Sequence, residues 1–139
     1  HPDVCAVISV NKGLVTQASA AIPVVPLYFA ILYKVMKKVG NHENCIQQIA
    51  RLFTQKLYTP TGFRTDENGF IRMDDYELTP EIQEEVKKCW KAVTTDTVKE
   101  YCDIDGYWED FYHMFGFRYE DIDYTQDVDA DIEIDGVVM

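Results

Sequence analysis

The sequence has 139 residues, 47% of them hydrophobic and 27% charged, which is typical of one globular domain. Its net charge of −11 argues against a nucleic-acid partner or an anionic membrane surface, because both are bound through Lys and Arg. The four cysteines lack the paired spacing of zinc ligands, and the acid clusters lack the spacing of a calcium loop. The sequence therefore predicts no metal site, and free thiols indicate a reducing, cytoplasmic setting.

The first predicted element is an apolar, β-branched strand over residues 4–10, of the kind that parallel sheets bury on both faces. We expect its neighbouring strands to lie elsewhere in a longer polypeptide. After a polar turn, the periodicity predicts a helix over residues 24–39 that has an unusually wide apolar face and is ended by Gly40. The apolar run over residues 20–33 is too short to span a membrane.

The next helix is expected over residues 43–58, capped by Asn41. One face should be buried and the opposite face solvated; the buried stripe consists of Ile46, Ile49, Leu52 and Phe53, and the solvated positions are Gln47, Gln48 and Arg51.

The second half of the chain is expected to be extended over residues 70–73 and helical from Pro80, burying Ile82, Val86 and Trp90. A short helix ends near Tyr101. A last aromatic helix over residues 107–115 is stopped by Gly116, and an acidic tail follows it.

The residues from Asn11 to Pro23, Asn-Lys-Gly-Leu-Val-Thr-Gln-Ala-Ser-Ala-Ala-Ile-Pro, resemble a segment of the NADH-dependent trans-2-enoyl-CoA reductases (FabV/TER type). In that family of short-chain dehydrogenase-like enoyl reductases, the segment follows the sixth strand. The similarity continues in the same order through five further stretches: Gly40-Asn41-His42-Glu43, Arg51-Leu52-Phe53, Ile71-Arg72-Met73-Asp74-Asp75-Tyr76-Glu77-Leu78, Gly106-Tyr107 and Gly116-Phe117.

The resemblance implies an α/β parent with a Rossmann-like parallel sheet. The present piece is expected to be mostly α, with one core strand and a short extended segment. Residues 1–64 would be the end of the catalytic domain, and residues 65–126 a C-terminal helical region that the family labels flavin-binding. Residues 127–139 would be an acidic tail.

The parent would transfer hydride from NADH to the β-carbon of a trans-2-enoyl-CoA such as crotonyl-CoA, or of an enoyl-ACP, in fatty-acid synthesis. The resemblance places the Tyr-x8-Lys catalytic pair upstream of this chain, and no Gly-rich phosphate turn is present in the sequence. We therefore expect no catalytic residue here, no turnover from the chain alone, and the missing N-terminal portion of the same enzyme as its partner.

Leu14, Val15 and Thr16 are implied as nicotinamide contacts, because a carboxamide needs a rigid donor and acceptor that backbone groups supply. The alternative is that Thr16 only caps the turn.

Val25, Tyr33 and Tyr107 are implied as acyl-pocket residues, although aromatic residues at helical spacing also occur as plain core. Residues after Thr65 contain neither a phosphate-binding glycine loop nor clustered donors for a flavin ring, so the sequence does not favour FAD.

Two other interpretations stay open. The chain could be a non-enzymatic helical binding or regulatory module that kept the fold and lost the catalytic half. It could also be one piece of a cleaved enzyme whose other piece stays docked, since an unpaired strand edge invites association. A Tyr-x8-Lys pair and a Gly-rich turn in the upstream gene would exclude the regulatory module.

Overall fold

The computed structural model describes residues 5–13 and 16–127, so Leu14, Val15 and most of the predicted acidic tail lie outside the described residues. The elements follow in this order: β1 (Ile8–Val10), α1 (Gln17–Ala20), α2 (Val24–Val39), α3 (Cys45–Arg51), a π-helical segment (Leu52–Leu57), β2 (Phe70–Arg72), α4 (Pro80–Ala92), α5 (Val98–Tyr101) and α6 (Ile104–Met114). The predominance of helix over strand agrees with the prediction. Among the described residues, no helix combines the length and apolar character needed to cross a membrane.

Helix α2 is the centre of the larger core, and its predicted bounds are confirmed. Its buried face packs against Ile82 and Val86 of α4 and against Tyr107 of α6. The wide apolar face seen in the sequence is explained because α2 contacts partners on more than one side. Gly40 ends the helix in the left-handed conformation, with φ of 78°, where glycine has no steric penalty.

Strands β1 and β2 form a two-stranded parallel sheet in which Ile8 is opposite Phe70 and Val10 is opposite Arg72. The expectation that the first strand has no neighbour within this chain is therefore wrong. The prediction of a buried strand over residues 4–10 is also wrong, since β1 has three residues and Ile8 is 60% exposed. The physical reason is that β2 covers one edge of β1, while its faces lack the covering layers that parallel sheets have.

The buried side chains of α3 and of the π-helical segment after it differ from the prediction. Gln48 and Arg51 are buried, whereas Ile46, Ile49 and Phe53 are 56%, 42% and 48% exposed. Leu52 is buried and Gln47 is exposed, as predicted, so the assignment from periodicity is wrong at five of the seven positions. The polar face is buried because its side chains bond to backbone groups and carboxylates of distant segments, which removes the cost of burying them.

Several helix ends also differ from the prediction. Asn44, not Asn41, caps α3, and Asp103 caps α6 by accepting the Gly106 N–H, so α6 begins three residues early. Trp90 is 37% exposed rather than buried in α4. Each cap is a local side-chain hydrogen bond that shifts the helix start without changing the apolar pattern.

Candidate functional site

The segment that follows β1 is fixed at Gly13. The Tyr33 hydroxyl donates to the Gly13 carbonyl at 3.2 Å. The Gly13 N–H also stabilises the charged form of Glu77 and so opposes the rise in its pKa that burial causes. A Cβ at Gly13 would lie 2.3 Å from the Phe29 ring, so only glycine allows the backbone to approach so closely. The carbonyl and the Cα of Gly13 are thus held by Tyr33 and Phe29 of α2.

Lys12 is 4% exposed and anchors the same segment. Its ammonium donates to Asp110 Oδ2 of α6 at 2.7 Å and to the Glu43 carbonyl at 2.9 Å. The charge also lies 4.1 Å from the centre of the Tyr33 ring, a cation–π contact. Because the side chain of Asp110 is only 8% exposed, this is a buried ion pair, in which loss of either partner is costly.

Gln48 joins this segment to α3 and to the end of β2. Its Oε1 accepts the Lys12 N–H at 2.7 Å, and its Nε2 donates to the Met73 carbonyl at 2.8 Å. Arg51 donates to the same carbonyl at 2.9 Å and pairs with Glu43. The buried polar face of α3 therefore connects the residues after β1 to those after β2.

Burial perturbs the titratable groups around Lys12. It raises the pKa of Glu77 to about 7, although the Lys12 charge and the Gly13 N–H act in the opposite direction. It lowers the pKa of His42, whose ring lies 4.9 Å from that of Tyr33, to about 4, with the Lys12 charge as the next cause. Burial, then the nearby Asp110 charge, raises the pKa of Tyr33. Such a cluster of perturbed groups is more typical of functional sites than of ordinary cores.

Of the three predicted cofactor residues, only Thr16 is described. It caps α1: its hydroxyl oxygen accepts the Ser19 N–H at 3.1 Å, and the Ser19 hydroxyl accepts the Thr16 N–H at 2.7 Å. This reciprocal capping box fixes the far end of the loop that Gly13 begins. A nicotinamide contact by Leu14, Val15 and Thr16 stays a prediction.

The predicted acyl-pocket residues are not all together. Tyr107 lines an apolar pocket of about 180 Å³ between α2, α5 and α6, to which α2 contributes Pro26, Leu27 and Ala30. Its hydroxyl is buried, and within the described part of the chain it has no hydrogen-bond partner. Val25 is half-buried and directly precedes Pro26, a residue of this pocket. Tyr33 is 1% exposed and donates its hydroxyl hydrogen to the Gly13 carbonyl. Their roles as substrate contacts stay predictions.

Two family models match the chain. Residues 2–58 match the model described as "Trans-2-enoyl-CoA reductase catalytic region", and residues 65–128 match "Enoyl reductase FAD binding domain". The site around Lys12 and Gly13 takes its residues from both matched regions.

Curated relatives and solved structures agree with these matches. The chain is 47% identical over 133 residues to the enoyl-[acyl-carrier-protein] reductase [NADH] of Flavobacterium psychrophilum, covering 96% of this chain and 34% of that protein. It is 48% identical over 132 residues to the trans-2-enoyl-CoA reductase [NADH] of Ruminiclostridium cellulolyticum, covering 95% and 33%. The crystal structure of Treponema denticola trans-2-enoyl-CoA reductase in complex with NAD matches with a TM-score of 0.78 and 48% identity, over 91% of this chain and 32% of that one.

The fold is thus that of a segment of the enoyl reductases. The chain belongs to the trans-2-enoyl-CoA reductase family, and it spans about a third of the length of the curated relatives it matches. The family resemblance read from the sequence is confirmed.

Both arginines within residues 65–127 are paired with acids. The charge of Arg72 is taken up by Asp74 and Asp66, and that of Arg118 by Glu109 and by stacking 3.6 Å from the Tyr112 ring. A flavin pyrophosphate needs free cations or a glycine-rich turn at a helix N-terminus. The pocket that includes Thr65 is lined instead by both acids and bases, among them Asp66 and Asp75.

Sequence reasoning missed four residues of this site: Lys12, Gln48, Glu77 and Asp110. The one signal available for Lys12 was its position directly after an apolar strand. Nothing local in the sequence marks Asp110, which is 98 positions away from its partner.

Proposed function

We propose that this chain is the C-terminal portion of an NADH-dependent enoyl-thioester reductase that reduces trans-2-enoyl-CoA, such as crotonyl-CoA, or enoyl-ACP in fatty-acid synthesis. The observation that carries the proposal is the sequence identity of 47–50% over nearly the whole chain to reductases of this one activity. In this proposal, residues 1–64 end a Rossmann-like domain, residues 65–126 form a helical region, and residues 127–139 form a tail.

The chain's contribution is to position the cofactor and the acyl group. NADH, when bound, supplies the hydride for the β-carbon. Leu14, Val15 and Thr16 present backbone groups to the nicotinamide carboxamide, and this role is supported by the rigid attachment of Gly13 and of Thr16 on either side. Fixed backbone donors and acceptors orient a ring without further loss of conformational entropy.

The acyl chain is proposed to lie along α2, with Val25, Tyr33 and Tyr107 as its contacts. The apolar pocket beside Tyr107 supports this, because a pocket of about 150 Å³ already admits a ring the size of benzene. The buried hydroxyl of Tyr107 has no hydrogen-bond partner among the described residues, and this cost in stability is more readily explained at a site that has a ligand.

The remaining two thirds of the enzyme are proposed to cover the exposed apolar side chains of α3 and the free edge of β1. Ile46 and Ile49 of α3 and Phe53 of the π-helical segment are exposed, and Ile8 is exposed in β1. Solvent-exposed apolar clusters of this kind mark interfaces. Further strands paired to the β1 edge would extend the parallel sheet, and the helices that connect such strands would cover its faces.

The catalytic tyrosine and lysine of a Tyr-x8-Lys pair, and the Gly-rich phosphate turn, belong to that upstream portion in this proposal. A cytoplasmic location is part of the same proposal and is supported by the four unpaired thiols, Cys5, Cys45, Cys89 and Cys102. Flavin is not part of it.

The test is crotonyl-CoA-dependent oxidation of NADH, measured on the purified chain with its intact mass checked, and on the chain mixed with the separately purified upstream portion. We expect no turnover from the chain alone and turnover from the mixture. Phe53→Glu should lower the activity of the mixture severalfold because it places a charge in the proposed interface, whereas the exposed Glu84→Gln should not.

Turnover by the chain at its own mass would refute the proposal that the catalytic residues belong to the upstream portion. No turnover from the mixture or from the full-length protein would instead favour the non-enzymatic helical module.

A further inference from the structure

Residues 65–128, which match the family model described as a FAD binding domain, have another role in this structure. Two buried carboxylates from this region, Glu77 and Asp110, reach the segment after β1. Glu77 is 8% exposed, and the side chain of Asp110 is 8% exposed. Burying carboxylates costs free energy, so a fold that needed only packing would place neutral side chains here.

The two carboxylates act on adjacent residues of the backbone. Asp110 Oδ2 accepts a hydrogen bond from the ammonium of Lys12 at 2.7 Å, and the buried Glu77 carboxyl is stabilised in its charged form by the N–H of Gly13. Lys12 is further fixed through its own N–H, which donates to Gln48 at 2.7 Å. The direction in which the chain leaves Gly13 is therefore set by contacts with α2, α3, α6 and the segment after β2.

Packing around Lys12 and Gly13 opposes small displacements of their backbone. The Phe29 ring fills the space next to the Gly13 Cα, and the Tyr33 ring lies against the Lys12 charge at 4.1 Å. A neutral residue at 110 would leave a buried ammonium without its counter-charge, and the least costly response is for Lys12 to move towards water. Such a movement would carry Gly13 with it.

We propose that Glu77 and Asp110 are positioning residues of the reductase: they orient the Lys12–Gly13 backbone and thereby set which face of the nicotinamide ring is turned to the substrate. This rests on the function proposed above. Residues 65–127 then serve to hold in place the segment from Lys12 to Thr16 that contacts the nicotinamide. This role explains why a reductase that uses NADH without a flavin contains them.

The test uses the full-length protein and NADH that carries deuterium at either the 4R or the 4S position. Deuterium in the product reports the ring face that delivers hydride. Glu77→Gln and Asp110→Asn are compared with two matched controls, Glu84→Gln and Asp105→Asn, which neutralise exposed acids of α4 and α6. Thermal unfolding of each variant is measured alongside.

We expect wild type and both controls to transfer from one face. Glu77→Gln and Asp110→Asn should raise the KM for NADH about tenfold, because binding energy is then used to order the Lys12–Gly13 backbone, and should transfer measurably from the other face. The KM for crotonyl-CoA should stay within about twofold, because the acyl pocket does not include these residues.

Folded variants with a wild-type KM for NADH and strict facial selectivity would overturn the proposal. If either variant fails to fold, Glu77→Asp or Asp110→Glu takes its place, since each keeps the charge and moves the carboxylate; unchanged selectivity in the folded replacement overturns the proposal equally. Absence of turnover in the wild-type protein is a different result, because it refutes the proposed function itself.

Discussion

Glu77 and His42 should make opposing contributions to the pH dependence of the free energy of unfolding, each of which would be steep without the other. Burial raises the pKa of Glu77 from 4.5 to about 7 and lowers that of His42 from 6.5 to about 4. At about 1.4 kcal/mol per pKa unit, each difference corresponds to about 3 kcal/mol.

The two contributions have opposite signs. Between about pH 4.5 and 7 the folded chain keeps a proton on Glu77 that the unfolded chain has released, so the free energy of unfolding falls as pH rises. Between about pH 4 and 6.5 the unfolded chain binds a proton on His42 that the folded chain does not, so the free energy of unfolding rises with pH. Over their shared range the two slopes cancel.

Replacing either residue alone should therefore reveal the pH dependence of the free energy of unfolding that the other residue contributes. In Glu77→Gln the free energy of unfolding should rise by about 3 kcal/mol between about pH 4 and 6.5, and in His42→Gln it should fall by about 3 kcal/mol between about pH 4.5 and 7. Urea unfolding followed by the fluorescence of Trp90 and Trp108 measures both profiles. Profiles of the two variants that run parallel to that of the wild type would refute the reasoning.

Three further predictions concern single contacts. Lys12→Met should lower the free energy of unfolding by about 3–5 kcal/mol because Asp110 loses its cation, and adding Asp110→Leu should restore most of that loss. Urea unfolding measures both changes, and strictly additive changes in the free energy of unfolding would contradict this. Gly13→Ala should cost about 1–3 kcal/mol by meeting the Phe29 ring, and Phe29→Leu in the same chain should relieve it, as Tm values would report. Tyr107→Phe should stabilise the chain by about 1 kcal/mol, because it removes a buried hydroxyl that has no hydrogen-bond partner within residues 5–13 and 16–127, and should raise the KM for crotonyl-CoA in the full-length protein. A lower Tm would contradict this.

The parts of the fold that depend on local signals could be predicted from the sequence. The bounds of α2 follow from its apolar periodicity and from a glycine at the position where the left-handed conformation is needed. The extended segment at Phe70–Arg72 and the helix opening at Pro80 are likewise local. In each case the residues that decide the structure are next to each other in the chain.

The parts that depend on distant partners could not be predicted. Periodicity separates an apolar face of α3 from a polar one, but Gln48 is buried because the Lys12 N–H and the Met73 carbonyl need partners. The same limit applies to the site: Thr16 and Tyr107 could be chosen from the family resemblance, whereas the pairing of Lys12 with Asp110 exists only in three dimensions. The two strands were each expected, but their pairing was not.

The pairing of β1 with β2 has a consequence for the synthesis of the protein. Ile8 and Phe70 are roughly 60 residues apart, and at 5–20 residues per second β1 emerges about 3–12 seconds before its partner strand. During that interval the six residues from Cys5 to Val10 form an uncharged, β-branched window of the kind that nucleates aggregation. Asp3 and Lys12 flank it as charged gatekeepers, so Lys12 protects the nascent strand before it becomes an internal counter-ion in the finished fold.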